Sequence, residues 1–179
     1  MSRDELIGVI RHRDAISVAA GLPTDRDVTF TRGASPTGIL ADGDAERPVD
    51  EHRRAHLAGR PTEATVIYGE GVEPEHVADR LLDLAGLADE TGMLQTVCTM
   101  PAAGVLTPGS WGVEDLTIVA AARLVLGPSV RVRPSWTRLG AQTCGVTLAF
   151  GADDLALPED DPTDVALLAE AVGRRAVAR

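Results

Sequence analysis

Apolar residues recur along this chain at helical and at strand spacing in turn, and the alternation lays out the fold. Leu6, Ile7, Val9 and Ile10 form a stripe behind the capping-type run Ser2-Arg3-Asp4-Glu5, which predicts a helix over 3–13. Asp27-Val28-Thr29-Phe30-Thr31 predicts a short strand, and the Gly-, Pro- and Asp-rich run from Gly33 to Pro48 an exposed, mobile loop. Residues 49–58 read as a helix stopped by Gly59 and Pro61, and Ala64 to Tyr68 as a strand ending at Gly69. Pro74 opens a helix to Glu90, with Val77, Leu81, Leu84 and Leu87 on one face and Gly92 beyond its end. Leu94 to Cys98 is the next strand, followed by a Pro/Gly loop from Pro101 to Gly109. A helix over Val113–Leu126, a strand over Ser129–Trp136, a helix over Leu139–Phe150 and a last helix over Thr163–Val177 complete the pattern.

Strands that alternate with helices imply parallel β-α-β units, hence the α/β class. The chain divides at residue 48. Residues 1–48 carry a helix, a short strand and a flexible loop; residues 49–179 form a regular β/α domain. Hydrophobic residues at 44% with aromatics at only 3% mean a core built from Ala, Leu and Val. A net charge of −10 argues against nucleic acid or an anionic membrane as partner. All 17 basic residues are arginine, as GC-rich coding would give. No window approaches the ~20 apolar residues of a membrane span. With a charged amino terminus and two cysteines, the expectation is a cytoplasmic protein without disulfides.

Three stretches resemble the menaquinone-pathway radical S-adenosylmethionine (SAM) enzymes, aminofutalosine synthase and dehypoxanthine futalosine cyclase, and more distantly the deazaflavin (FO) synthases. The family's HR-x-AH helix and following ATM-L/V-YG strand are similar to His52-Arg53-Arg54-Ala55-His56 and Ala64-Thr65-Val66-Ile67-Tyr68-Gly69. Its P-E…LL-x-L-x-x-L-x-DETG helix resembles Pro74-Glu75, Leu81-Leu82-Asp83-Leu84, Leu87 and Asp89-Glu90-Thr91-Gly92. Its helix D-L-x-x-I-A-x-A-R-L-x-L, strand V-Q-A-S-W and segment V-A-L-x-F-G-A-D-D-L are similar to residues 115–126, 132–136 and 146–155. The order and spacing imply a truncated relative that keeps the carboxyl-terminal half of a (β/α) barrel. The departures are chemical. A radical SAM cluster needs three thiolates in a C-x3-C-x2-C run, and the chain has only Cys98 and Cys144. No radical SAM catalysis and no cofactor is therefore expected.

Barrel folds place function at the carboxyl ends of strands. The resulting ligand-binding candidates are Tyr68, Glu70, Gln95, Cys98, Arg131, Arg133, Ser135 and Trp136. Arg131 and Arg133 share one face of their strand and could grip a carboxylate or phosphate; ion pairing with acids such as Glu70 or Asp153 competes with that reading. His52 and His56 have the i,i+4 spacing of a zinc pair but no third ligand, so they read as solvated surface and no metal is assigned. Asp153-Asp154 reads as a turn or cap, the cysteines as buried inert thiols, and Asp25, Asp27, Asp42, Asp44 and Asp50 as a solvated acidic stretch.

The functional expectation is a catalytically silent protein binding a small anionic or aromatic metabolite, or a partner enzyme, at the strand ends. The alternative is a non-radical enzyme of quinone or deazaflavin metabolism that uses Glu70, Cys98 and Arg133. Open barrel edges further suggest a homodimer that completes the wall.

Overall fold

The computed structural model describes residues 1–12, 26–33, 38–102 and 112–179, and in these every paired strand is parallel. The strands are β1 (Val28–Arg32), β2 (Leu40–Ala41), β3 (Thr62–Tyr68), β4 (Leu94–Pro101), β5 (Arg131–Pro134), β6 (Asp154–Leu157) and β7 (Ala176–Ala178). The helices are α1 (Arg3–His12), α2 (Val49–Leu57), α3 (Pro74–Thr91), α4 (Val113–Leu126), α5 (Trp136–Thr147) and α6 (Val165–Glu170).

The strands form one sheet in the order β2-β3-β4-β5 and another in the order β6-β1-β7. They adjoin at β5 and β6, where the Asp153 N–H donates to the Val132 carbonyl at 3.0 Å. The result is a partial barrel, with no closed barrel among the described residues. β1 lies between β6 and β7, so the amino-terminal segment is woven into the wall that the carboxyl-terminal half builds.

The alternation of side chains gives the sheets two unlike faces. Ala64, Val66 and Tyr68 of β3, Val97 of β4 and Val132 of β5 join the core, which they share with Val77, Ala78, Leu81 and Leu84 of α3 and residues 118–122 of α4. Small alanines at 120–122 let α4 approach the strands closely. Full burial of each leucine contributes roughly 1.5–3 kcal/mol. The core is thus aliphatic, as the composition predicts.

Several expected boundaries move. The tail is not one helix over 163–177. α6 is capped by Asp164, which accepts the Ala166 N–H, and ends by Glu170; Gly173 at φ 72 turns the chain so that Ala176–Ala178 pair with β1. Helical propensity of the alanine-rich tail yields to a ladder that only β1 provides. The strand expected over 129–136 is shorter, because Trp136 opens α5. The helix expected over 139–150 starts earlier, bends at Gly140 (φ 73) and finishes in a 3-10 turn over Leu148–Phe150. β2 and β6 were not legible as strands. Most of the loop expected over 101–109, and Asp25 of the acidic stretch, lie outside the described residues.

Asp42 overturns its reading as a solvated residue. Its buried carboxylate accepts the Thr65 N–H at 2.8 Å and Arg80 Nη2 at 3.0 Å, and lies 3.1 Å from His52 Nε2. Glu46 accepts the Ile67 N–H, and the Arg47 carbonyl accepts Arg80 Nη1. Residues 42–47 are therefore an arch pinned to β3 and α3.

Candidate functional site

The polar face of the curved wall lines an open cleft of about 190 Å³ along β2–β6. Glu63 and Thr65 of β3, Cys98 and Met100 of β4, Arg133 of β5 and Ala156 of β6 reach it from the strands. Residues 41–44 line one side, and Pro134, Ser135, Trp136 and Thr137 the other.

At its base Arg133 is held between two acids. Nη1 and Nη2 donate to Glu63 at 2.7 and 3.0 Å in a bidentate pair, and Nε donates to Asp154 at 2.8 Å. Asp154 is closed off by the Thr29 hydroxyl at 2.6 Å and Arg179 Nη1 at 3.3 Å. Burial alone would lower the pKa of Arg133, but Asp154 and Glu63 overcome that and raise it above the usual guanidinium value. This arginine is charged and committed. It forms ion pairs, as one of the two readings of its sequence held, though with Glu63 and Asp154.

Cys98 is largely buried at the cleft wall beside Arg133. Desolvation pushes its thiol up to about 12 in spite of that neighbour, so it is protonated at neutral pH and a poor nucleophile. Trp136 forms an apolar wall, its indole Nε1–H donating to Asp161 at 2.8 Å. Asp161 also accepts the Thr163 N–H at 2.9 Å, and bonds from the Thr163 side chain, then its N–H, then Trp136 lower the carboxyl pKa. Arg32 at the end of β1 donates to the carbonyls of Asp161 and Thr163, tying down the loop that carries this acid.

Four of the eight sequence candidates, Cys98, Arg133, Ser135 and Trp136, thus meet at one cleft. The other four do not line it. Tyr68 points to the helix side and donates to Asp115 at the start of α4 at 2.6 Å; burial, then the carboxylate, raises its phenol well above the ordinary value. Glu70 sits in the exposed turn after β3. Gln95, near the start of β4, accepts from Arg179 at 3.4 Å. Arg131 shares a face with Arg133 but lies at the amino-terminal end of β5, donating to the Asp27 carbonyl at 3.1 Å. Parity put the two arginines on one face, yet two residues of rise send them toward opposite ends of the wall.

Other sequence readings change as well. His52 and His56 are buried, not solvated. They do not chelate together: His56 bonds Thr62 and Thr91, each at 2.8 Å, while His52 faces Asp42. No group of three His, Cys, Asp or Glu able to hold a metal occurs among the described residues. Asp153 and Asp154 are not turn residues but buried hubs facing opposite sides, Asp154 toward Arg133 and Asp153 toward Arg123 and Arg26. Glu63 was missed because the strand was read from Ala64; its parity with Thr65 was the available signal.

The fold and cleft define a class: a parallel β/α partial barrel with an open cleft on its polar face, based on buried ion pairs. No family model matches the chain. It is 32% identical over 114 residues to the 5-amino-6-(D-ribitylamino)uracil–L-tyrosine 4-hydroxyphenyl transferase of Archaeoglobus fulgidus, which covers 60% of this chain and 33% of that relative. It is 32% identical over 119 residues to the aminodeoxyfutalosine synthase of Streptomyces coelicolor, covering 58% and 31% respectively. An FO synthase of Streptomyces avermitilis aligns over 154 residues at 28% identity, covering 79% of the chain and 17% of the relative. The chain spans about a third or less of the length of these relatives. Over these stretches the chain is similar to part of enzymes named FO synthase and aminodeoxyfutalosine synthase.

Proposed function

We propose that this chain binds a small aromatic metabolite in the open cleft and carries out no radical SAM chemistry of its own. The observation that carries the ligand class is the commitment of Arg133. With Glu63 and Asp154 on its guanidinium, the cleft offers no spare cation there, so the anionic arm of the expectation loses its anchor. What remains is Trp136, Met100 and Cys98 as soft walls around polar side chains. The volume lies below the ~300–1,000 Å³ of drug-sized sites and suits a single ring. Tyrosine and a uracil stand in the name of the relatives, which adds weight to an aromatic ligand. The absence of a C-x3-C-x2-C run from the sequence supports the catalytic half of the reading.

The alternative, a non-radical enzyme using Glu70, Cys98 and Arg133, finds less support. Glu70 is outside the cleft and the Cys98 thiol is protonated. The outer edges of β2 and β7 have no strand partner among the described residues, and a second copy or a partner enzyme would add there. Light scattering of the isolated chain tests the homodimer.

Calorimetric titration with tyrosine, 4-hydroxyphenyl compounds and uracil tests the ligand. Saturable binding is expected, weakened roughly tenfold or more in Trp136→Leu by loss of the aromatic wall. Absence of binding to every ring compound, or unchanged affinity in Trp136→Leu, rejects the reading. Anaerobic reconstitution with iron and sulfide is expected to give no cluster absorbance.

A further inference from the structure

At the pole opposite the cleft, the amino-terminal ends of β1, β5, β6 and β7 gather arginines around one carboxylate. Asp153 lies 2.6 Å from Arg26 Nη1, 2.8 Å from Arg123 Nη2 and 3.5 Å from Arg131 Nη1. Arg174 joins them from the turn before β7, donating to the carbonyls of Leu148 and Ala152 at 3.1 and 2.6 Å. The nearby Asp27 is taken by Arg175 in a bidentate pair at 3.2 and 3.1 Å.

Three guanidinium groups thus pair with one acid and a fourth stands close by on backbone carbonyls alone, in a chain whose net charge is −10. Part of the arrangement is structural. Arg123 donates to the carbonyls of Gly127, Val130 and Gly151, where α4 and the turn after α5 end, and cations suit helix carboxyl ends. Carbonyl dipoles satisfy donors without cancelling charge, however, and the surplus persists. Burial lowers the pKa of Arg123 and Arg174, and mutual repulsion among these arginines adds to that effect despite Asp153. Arg26 and Arg131 keep 29% and 26% of their side chains exposed, so the cluster opens to solvent.

We infer that this pole is a binding site for a doubly charged oxyanion of the phosphate class, held by Arg26 and Arg131 with Arg174 behind them. Planar guanidinium forks suit tetrahedral oxyanions, and a dianion would neutralise most of the surplus. The site is independent of the ring-binding cleft. It also gives Arg131, set apart from Arg133, the anion-gripping role that residue type suggests.

The test is a titration of the full chain with inorganic phosphate at ionic strength held constant with chloride. A saturable rise in thermal midpoint is expected, together with shifts of the Nε–H resonances of Arg26, Arg131 and Arg174. Arg26→Gln and Arg131→Gln should each weaken the response roughly tenfold or more. Stabilisation no greater than chloride gives, or a response in both variants equal to that of the wild-type chain, overturns the proposal. A response that fails to saturate below about 50 mM marks an adventitious ion only and also overturns it. If a variant does not fold, the Nε–H shifts of the wild-type chain decide: movement confined to these arginines supports the site, and its absence rejects it.

Discussion

His56 and Thr91 join the start of β3 to the end of α3 through one imidazole: Nδ1 lies 2.8 Å from the Thr91 hydroxyl and Nε2 2.8 Å from that of Thr62. The Thr91 hydroxyl donates to the Leu87 carbonyl, so it accepts from Nδ1–H, and Nε2 is left to accept from Thr62. A neutral ring satisfies every partner. Arg53 of the same helix bonds Glu90, the residue before Thr91. Two motifs distant in sequence are thus the two halves of one clamp.

Desolvation, aided by the neighbouring His52, lowers the pKa of His56. The unfolded chain then takes up a proton that the folded chain refuses. The stability this histidine contributes is present in full above its unfolded pKa of about 6.5 and is lost as pH falls through the lower folded value. Urea midpoints measured from pH 7.5 down to 5 should fall, and His56→Gln should flatten that part of the profile.

Removing one member of the buried Arg133 pairs leaves uncompensated charge. Glu63→Gln and Arg133→Met are each expected to destabilise by about 3–5 kcal/mol. The double variant should cost less than the sum, because the two residues share an interaction. Chemical unfolding of the four proteins measures the coupling.

Cys98 and Cys144 both have thiols pushed up to about 12 by burial. Neither should react with a thiol-specific disulfide reagent at pH 8 in the folded protein, and both should react on unfolding. Rapid native labelling of Cys98 would contradict the protonated state assigned to it.

Gly151 sits at φ 105, and a Cβ there would lie 2.7 Å from the Cβ and Cγ of Arg123. Gly151→Ala therefore meets both backbone strain and a clash with the arginine that pins α4, and should cost more than about 2 kcal/mol. Gly173→Ala, at φ 72 with nothing within 4 Å, should cost only the roughly 1–2 kcal/mol of the left-handed conformation. Thermal unfolding of the pair separates crowding from strain.

Tyr68→Phe should lower stability by about 1–2 kcal/mol through loss of the bond to Asp115. Ring-ligand affinity should stay unchanged, since Tyr68 faces the helices. A large affinity loss would return this residue to the site.

The sequence by itself determined the α/β class, the parallel strands and most of the helices, because the hydrophobic spacing is set by local geometry. Val77, Leu81 and Leu84 could be placed on one helix face, and Val130 and Val132 on the core side of their strand, from periodicity alone. The missing thiolate triad was equally visible. What only the tertiary structure decided is pairing across distance. β6 and β7 are four and three residues long, too short for a periodic signal, and exist because β1 offers a ladder. For that reason Asp154 read as a turn residue when it is the partner of Arg133, and Asp153 as its twin when the two face opposite sides. The same dependence hid Glu63 and Asp42. Whether a carboxylate is solvated or buried depends on which cation the fold brings within about 3 Å, a distance no spacing along the chain records.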